Sequence, residues 1–309
     1  MSQHKVEVVP IQLKPHPNAD SLSIVEVYGY TVCVRTADWQ GRDRGAYVPP
    51  DSLVDSTRPE FNFLAGHERI KVKRLRGIIS MGLLVPTEAP IGTDLMEALG
   101  VKHYEPPLQI STNGEAAPPP KVYAPHYDVE SARRYFPSFN EGEPVIVTEK
   151  LHGASGRWVF DGEKIHASSR IEWKREGVSI WWKALELCPW LEVFLRSHPW
   201  HVVYGEVFGR VQDLKYEREL DVRVFDVLLG NRWLDVDEAR TLSPDLAWVP
   251  EIARTNWSWP SIAELAEGKS MLADHVREGV VIKPMIERTN PEIGRVQLKL
   301  IGNGYLERA

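Results

Sequence analysis

The chain has 309 residues, enough for two domains of ordinary size, and its formal net charge is −6 at pH 7. An acidic chain has no overall field that attracts nucleic acid, so any contact with RNA or DNA must come from local positive patches. Two cysteines, Cys33 and Cys188, lie in apolar runs and are expected to be reduced core residues, which excludes a disulfide framework or a zinc cluster. The sequence has no N-terminal apolar stretch and no spanning segment, so we expect a cytoplasmic protein without membrane contact.

The first 107 residues are predicted to form a small β-barrel. Short β-rich runs at 23–28, 30–35 and 46–48 are separated by Gly, Pro and Asp, as a small barrel requires. His16–Leu22, with the sequence HPNADSL, resembles the start of the tRNA-binding OB fold that is appended to aminoacyl-tRNA synthetases. Arg76–Pro86 loosely matches the ending of that fold. The resemblance implies an OB-fold RNA-binding module at 1–107.

A basic run within this module, Arg69–Arg76, alternates charged with apolar residues. As a strand it would place Arg69, Lys71 and Lys73 on one face and apolar side chains on the other. Two interpretations remain open. The run is either an edge strand charged to discourage aggregation, or a face of the barrel that contacts RNA.

The break between the domains is predicted at 108–126, where Gly114–Pro120 has the composition of a stiff, exposed linker. The second domain is expected to span 127–309 and to begin with a short helix at 129–134. The tryptophan-rich stretch 179–200 is typical of an amphipathic helix, interrupted at Pro189. We assign its tryptophans to core packing; they are Trp181, Trp182 and Trp190.

Lys150 follows the apolar, β-branched run Val145–Val147, which predicts a buried strand that delivers the lysine to the floor of a pocket. An unperturbed lysine is an ammonium ion at neutral pH and is no nucleophile. Burial, a bound metal ion and the positive charge of Lys299 or Lys283 are expected to lower the pKa of Lys150. Taken alone, the motif Lys150–Gly153, with the sequence KLHG, favours a surface lysine in an ordinary strand-to-turn segment, because short motifs recur by chance.

Two glutamates lie at the ends of predicted strands. Glu206 stands between the strand-like run His201–Tyr204 and Gly209, where its carboxylate can accept a hydrogen bond from a ribose hydroxyl, hold a metal or face solvent. Glu278 precedes the β-branched run Gly279–Lys283. Carboxylates are suitable ligands for Mg²⁺ or Mn²⁺, and phosphoryl transfer needs such a cation to neutralise developing charge.

Further along, Phe225 belongs to the apolar run Val222–Leu229. One interpretation is that Phe225 is an ordinary core residue. Lys283 and Lys299 would act as point charges on phosphate oxygens. Gln297 and Lys299 are two positions apart and therefore share one face of a strand.

In this order the motifs resemble those of the covalent nucleotidyltransferase superfamily of DNA ligases, RNA ligases and mRNA capping enzymes. The resemblance implies that Lys150 attacks a nucleotide α-phosphate, and it gives Phe225 an adenine to stack on. The catalytic residues that it implies are Lys150, His152, Lys283 and Lys299. The residues expected to bind the nucleotide are Glu149, Arg170, Glu206, Phe225, Lys283 and Lys299, and those expected to bind the metal are Glu278 and Glu206.

Three details favour the RNA ligase branch. His152 stands where DNA ligases and capping enzymes typically have Asp. Ten residues follow Lys299, so no C-terminal OB domain is expected. Arg170 lies twenty residues after Lys150, at the position of an arginine that RNA ligases use at the polynucleotide ends.

Two departures leave roles open. Ser155 stands where many double-strand-joining RNA ligases have Asn, and the last motif, often Lys-x-Lys, has only Lys299 here. The second lysine is replaced by Gln297 or by Ile301, depending on the alignment.

We therefore expect an α+β protein, with an N-terminal OB-fold β-barrel followed by a ligase-type nucleotidyltransferase domain built on antiparallel sheets with flanking helices. The expected activity is ATP-dependent joining of 5′-phosphate and 3′-hydroxyl RNA ends, at nicks in duplexes, by a monomer that uses Mg²⁺ or Mn²⁺ and contacts RNA with both domains. The alternatives are a DNA ligase, a GTP-dependent capping enzyme, or a tRNA-binding accessory protein with a degenerate catalytic domain.

Overall fold

A computed structural model of the chain describes residues 4–104, 115–177, 179–212, 214–242 and 246–307. The chain forms two compact units, Met1–Gln109 with Leu306–Ala309, and Ile110–Tyr305. The domain limits 1–107, 108–126 and 127–309 stay a prediction, and residues 108–114 of the expected linker lie outside the described residues. Within the described ranges, every helix is too short or too polar to cross a membrane.

The first unit consists mainly of short strands. They are β1 (Glu7–Pro10), β2 (Lys14–His16), β3 (Ala19–Val27), β4 (Tyr30–Arg35), β5 (Arg44–Val48), β6 (Ser52–Leu53), β7 (Lys73–Leu75), β8 (Ile78–Ser80), β9 (Leu83–Val85) and β10 (Lys102–His103), with helix α1 (Thr36–Trp39) and a 3₁₀ turn at Asn62–Leu64. Two three-stranded sheets, β1-β5-β9 and β2-β3-β4, and the hairpin β7-β8 account for most of them. The strands predicted at 23–28, 30–35 and 46–48 are all present, because alternate valines such as Val25, Val32 and Val34 are buried.

The HPNADSL segment holds the turn of the β7-β8 hairpin. The His16 ring is buried, and its Nδ1 atom accepts a hydrogen bond from the backbone N–H of Asn18 at 3.1 Å. The Asn18 side-chain amide donates to the carbonyl of Arg76 at 2.9 Å. Arg76 has a left-handed backbone with φ of 47°, so this contact stabilises a strained residue.

The basic run Arg69–Arg76 is not the single strand that its alternation predicts. Only β7 is a strand, and the chain reverses direction at Arg76. The reason is that Ile70 is buried in the core of the unit, with its backbone bonded to the segment around Ser52, which breaks the run before β7. Lys71 and Lys73 are nevertheless exposed to solvent.

The second unit combines two large sheets with helices; the six-stranded sheet is antiparallel, and the five-stranded sheet is antiparallel except for the parallel pair β11–β23. Its strands are β11 (Glu130–Ser131), β12 (Pro144–Lys150), β13 (Ala154–Phe160), β14 (Ile165–Ser169), β15 (Trp173–Lys174), β16 (His201–Gly209), β17 (Leu220–Leu229), β18 (Arg232–Trp233), β19 (Glu251–Asn256), β20 (Gly279–Pro284), β21 (Thr289–Asn290), β22 (Gly294–Arg295) and β23 (Leu298–Ile301). Its helices are α2 (Ala132–Tyr135), α3 (Ile180–Leu187), α4 (Pro189–Ser197), α5 (Val236–Leu242), α6 (Trp259–Leu265) and α7 (Asn303–Leu306), with a 3₁₀ turn at Phe136–Ser138. The five-stranded sheet has the order β11-β23-β20-β12-β19, and the six-stranded sheet has the order β15-β14-β13-β16-β17-β18.

The tryptophan-rich stretch forms two helices that pack on the six-stranded sheet. The helices α3 and α4 are separated at Cys188, directly before Pro189, as predicted. Trp182 is buried in the core cluster beneath them, and Trp181 and Trp190 pack against the same cluster. Cys188 is buried, and both cysteines are free thiols.

A buried charge cluster ties the two sheets together. Lys283 of β20 donates from Nζ to Asp226 Oδ2 at 2.6 Å and to the carbonyl of Phe225 at 2.8 Å, and both acceptors belong to β17. Arg295 and the Tyr127 hydroxyl donate to the same Asp226 oxygen at 2.6 and 2.7 Å. Burial raises the pKa of Asp226, but Arg295 and Lys283 lower it by more, so the carboxylate stays ionised.

Because this cluster is buried, we expect Asp226→Ala to lower the free energy of unfolding by about 3–5 kcal/mol, since it leaves two cations without their shared partner. Denaturant unfolding measures this loss. The matched control is Glu238→Ala, which removes an equally short 2.6 Å ion pair with Arg232 at the surface and should change stability little. Equal losses in the two variants would contradict this role for Asp226.

Candidate active site

Lys150 is the last residue of β12 and is held by an ion pair. Its Nζ donates to Oε1 of Glu278 at 2.6 Å, and the Lys150 and Glu278 side chains are 25% and 12% exposed. The strand forms as predicted, because Val145–Val147 is almost completely buried. Lys150 stands opposite Gly279 in the β12–β20 register, which brings the neighbouring Glu278 to the lysine.

Two glycines allow the strands to approach at this point. A Cβ atom on Gly279 would lie 2.1 Å from the carbonyl oxygen of Leu300, and its φ is +156°. A Cβ atom on Gly153 would lie 2.3 Å from the carbonyl oxygen of Val207 and 3.0 Å from Cγ of Glu206. The turn after Lys150 therefore packs directly on β16, beside Glu206.

His152 is fixed by contacts with its backbone and its ring. Its backbone N–H donates to the Tyr216 hydroxyl at 3.1 Å. Its ring Nδ1 lies 3.2 Å from Oε2 of Glu278 and 3.2 Å from the hydroxyl of Tyr305. The sequence singled out neither tyrosine, because each approaches His152 from a distant point in the chain and follows no recognisable motif.

The electrostatics of the site are set by its carboxylates. Burial raises the pKa of Glu206 to about 8; the charge of Lys150 opposes this rise and that of Glu278 adds to it. Burial also lowers the pKa of Lys150, but Glu278 and Glu206 raise it by more, so its pKa lies above the ordinary value. The lowered pKa expected for Lys150 from the sequence is therefore not observed, because two carboxylates face the ammonium group.

Lys299 lies within electrostatic reach of Lys150. Burial lowers its pKa, and the positive charge of Lys150 lowers it further. Gln297 uses its side chain within the protein, since its Oε1 lies 2.6 Å from the Tyr127 hydroxyl oxygen and its Nε2 donates to the carbonyl of Asp128 at 2.9 Å. Ile301 pairs with Gly279 in the sheet, and neither Gln297 nor Ile301 supplies a second positive charge.

Lys283 and Phe225 lie next to each other beside the site. Lys283 is expected to contact a phosphate, but in the structure its Nζ donates to Asp226 and to the carbonyl of Phe225. Phe225 is the extra residue of a β-bulge, because Tyr204 pairs with Asp226 while the next residue of β16 pairs with Val224. A bulge re-aims the side chain it carries. The Phe225 ring is half-buried and its centroid lies 4.6 Å from that of Tyr127.

The remaining predicted residues surround this centre. Arg170 is 57% exposed and its only ion pair in the described part of the chain is a 3.8 Å contact with Asp128. Ser155 pairs with Glu206 across β13 and β16, and its carbonyl accepts from the Trp181 indole at 3.0 Å.

Glu149 is 1% exposed, and its two carboxylate oxygens differ. Oε2 accepts from the backbone N–H of Met271 at 2.7 Å, whereas Oε1 is buried and has no hydrogen-bond donor among the described residues. Among the residues that the structure describes, no group of three or more acidic, histidine or cysteine side chains is arranged to hold a metal. The binding of a metal ion by Glu206 and Glu278 stays a prediction.

A strand-end lysine between two mainly antiparallel sheets, followed in chain order by the partners described above, places the protein in the covalent nucleotidyltransferase superfamily. A family model described as RNA ligase matches residues 143–301, just over half of the chain, and an OB-fold domain model matches residues 5–87. The chain belongs to the RNA ligase family. No curated protein matches it significantly.

Solved structures of Naegleria gruberi RNA ligase share the fold. A lysine-to-methionine mutant with AMP and Mn has a TM-score of 0.83 and 23% identity, and 99% of each chain is covered. The same enzyme with PPi has a TM-score of 0.81 and 23% identity, and 99% of this chain and 98% of that chain are covered. The predicted family and the predicted α+β fold, an OB-fold domain followed by a ligase domain, are confirmed.

Proposed function

We propose that this RNA ligase is an ATP-dependent monomer that joins 5′-phosphate and 3′-hydroxyl RNA ends, at nicks in duplexes, through a lysyl-AMP intermediate. The proposal rests on the position of Lys150, whose Nζ is paired with Glu278 and lies within electrostatic reach of Glu206 and Lys299. All of these side chains belong to one unit of one chain.

The reaction has three displacements at phosphorus. Lys150 Nζ, having given up a proton, attacks the α-phosphate of ATP, and the bond to pyrophosphate breaks as the Nζ–P bond forms. An oxygen of the RNA 5′-phosphate then attacks that phosphorus, and the lysine leaves as RNA-adenylate forms. Finally the 3′-hydroxyl attacks the 5′-phosphate, and AMP leaves with the electron pair of the broken P–O bond.

The carboxylates fit a hard divalent cation. Because the pKa of Glu206 is raised to about 8, a second positive charge at this point would stabilise its ionised form. A bound Mg²⁺ or Mn²⁺ would neutralise charge that develops on the phosphates. If the cation offset the charges of Glu278 and Glu206, burial, which is already the largest single influence on the pKa of Lys150, would lower that pKa. Naegleria gruberi RNA ligase has been solved with ATP and Mn, which supports this assignment.

The orphan oxygen of Glu149 supports ATP as the nucleotide. A buried carboxylate oxygen without a donor is costly, and an amino group can relieve that cost. Adenine presents an amino group on the edge where guanine presents a carbonyl. Phe225 supplies an aromatic face on which a base can stack. Lys299, whose burial disfavours its charge, gains from contact with phosphate oxygens.

RNA would be contacted by both domains. Arg170 is exposed beside the site and is only loosely paired, so its guanidinium is free to bind a phosphate at the RNA ends. In the N-terminal unit, Lys71, Lys73 and Arg76 are exposed on and before the β7-β8 hairpin. Cations in such an arrangement bind phosphates without reading sequence.

The first test is covalent labelling of the protein. Incubation with ATP and Mg²⁺ or Mn²⁺ should add one AMP to the intact protein, and Lys150→Ala should abolish the adduct because no other lysine is held in this geometry among the described residues. Intact-mass spectrometry measures it. Lys164→Ala removes an exposed lysine of the same unit and should label normally. An adduct that persists in Lys150→Ala would contradict the assignment, and labelling by GTP or NAD in place of ATP would favour a capping or DNA-joining enzyme.

The second test separates nucleotide chemistry from joining. Arg170→Ala should form the AMP adduct at the normal rate but join pre-adenylylated RNA about 10–100-fold more slowly, as expected when a charged hydrogen bond is removed. The matched control is Arg196→Ala, an arginine of similar exposure (54%) in the same unit, which should behave like wild type. A parallel fall of adduct formation and joining would place Arg170 in the nucleotide site instead.

The third test concerns the N-terminal unit. Replacement of Lys71, Lys73 and Arg76 with alanine should weaken binding to nicked duplex RNA. It should also flatten the plot of log affinity against log salt by ~0.7–0.9 for each RNA phosphate that the variant no longer neutralises. A control with the same change of charge replaces the exposed residues Lys14, Arg35 and Arg42. If both triple variants have the wild-type slope, the hairpin does not bind RNA.

A further inference from the structure

The segment after β23 is anchored firmly beside the active site. The backbone N–H of Asn303 donates to Oε1 of Glu267 at 2.6 Å, and that of Gly304 donates to Oε2 at 3.0 Å. Both oxygens of one carboxylate therefore hold the start of α7. This support fixes the direction in which Tyr305, two residues after Asn303, projects its side chain.

A second anchor joins this segment to the carboxylate residue of the site itself. The backbone N–H of Gly302 donates to the carbonyl of Glu278 at 3.0 Å. Gly302 also packs against the backbone, since a Cβ atom there would lie 2.6 Å from the carbonyl oxygen of Ala266. Movement of this segment away from Glu278 would therefore break a hydrogen bond and a close contact together.

Tyr305 meets the site through His152. Its hydroxyl lies 3.2 Å from Nδ1 of His152, with the ring centroids 5.7 Å apart. The same Nδ1 lies 3.2 Å from Oε2 of Glu278, whose Oε1 accepts from Lys150. A chain of polar contacts therefore runs from Tyr305 through His152 and Glu278 to the nucleophile.

The two contacts of Nδ1 are chemical alternatives in a neutral imidazole. When Nδ1 carries the hydrogen it donates to the Glu278 carboxylate, which has no hydrogen to give in return. When the hydrogen is on Nε2, the Nδ1 lone pair accepts from the Tyr305 hydroxyl. The same position of the His152 ring therefore suits both tautomers. The Glu278 carboxylate favours the tautomer with the hydrogen on Nδ1, and the Tyr305 hydroxyl favours the tautomer with the hydrogen on Nε2.

We propose that Tyr305 is a positioning residue of the ligase reaction, whose hydroxyl holds the His152 ring at Lys150 when Glu278 turns from His152 to other partners. The proposal rests on the function proposed above. It assigns a role to a residue that belongs to none of the motifs. If Tyr305 has this role, the His152 ring stays beside Lys150 both before and after Glu278 exchanges His152 for other partners.

The test is a double-mutant cycle on AMP-adduct formation. Tyr305→Phe keeps the ring and removes the hydroxyl, and should slow adduct formation ~2–10-fold, the effect of removing one hydrogen bond. In a His152→Ala background the same change should alter the rate less than ~2-fold, because Tyr305 acts through His152. Tyr123→Phe, an exposed tyrosine of the same unit, should have no effect. Equal losses in both backgrounds, or no loss in either, would overturn the proposal.

A second measurement uses the protein without nucleotide or metal. In a long-range ¹H–¹⁵N spectrum of the histidine rings, the signals that disappear in His152→Ala should shift in Tyr305→Phe and not in Tyr123→Phe. Unshifted His152 signals would overturn the contact. Wild-type protein that takes up no AMP would instead contradict the proposed function. The ring signals would still show whether Tyr305 holds the His152 ring.

Discussion

The ion pair between Lys150 and Glu278 is the interaction on which the rest of the site depends. A lysine that is to be a nucleophile must be kept from bulk water, and a half-buried ammonium group must have a carboxylate partner. The β12–β20 register supplies that partner, because Lys150 stands opposite Gly279 and thus beside Glu278. The same pairing holds the lysine protonated at rest, since the carboxylates raise its pKa. In the proposed reaction, release of Glu278 would therefore be the event that frees Lys150 as the nucleophile.

The surrounding fold keeps this register in place. Asp226, Lys283 and Arg295 form a buried cluster that joins the five-stranded and six-stranded sheets, and its lysine also holds the carbonyl of Phe225 at the β-bulge. Movement of one sheet against the other would separate buried charges at high cost. The cluster therefore holds Phe225, on one sheet, at a fixed distance from Lys150, on the other.

Much of this arrangement follows from sequence, and its limits have physical causes. The strand before Lys150 and the strand that contains Phe225 could be predicted, because runs of β-branched residues bury both faces of a strand. The partners of Lys283 and the approach of Tyr305 to His152 could not, because each contact joins residues far apart in the chain. The orphan oxygen of Glu149 could not either, because a missing donor is visible only when the surrounding chain is in place. The basic run was predicted as one strand because alternation does not reveal that Ile70 is needed in the core.

The most direct test of the account is a chase of the labelled enzyme. Protein loaded with radioactive AMP is freed of ATP and mixed with duplex RNA that contains a 5′-phosphate nick. We expect the label to leave the protein, pass through RNA-adenylate and end as free AMP while an equal amount of RNA is joined. Label that stays on the protein, or that leaves as AMP without joined RNA, would contradict the central claim that Lys150 carries the nucleotide to an RNA end.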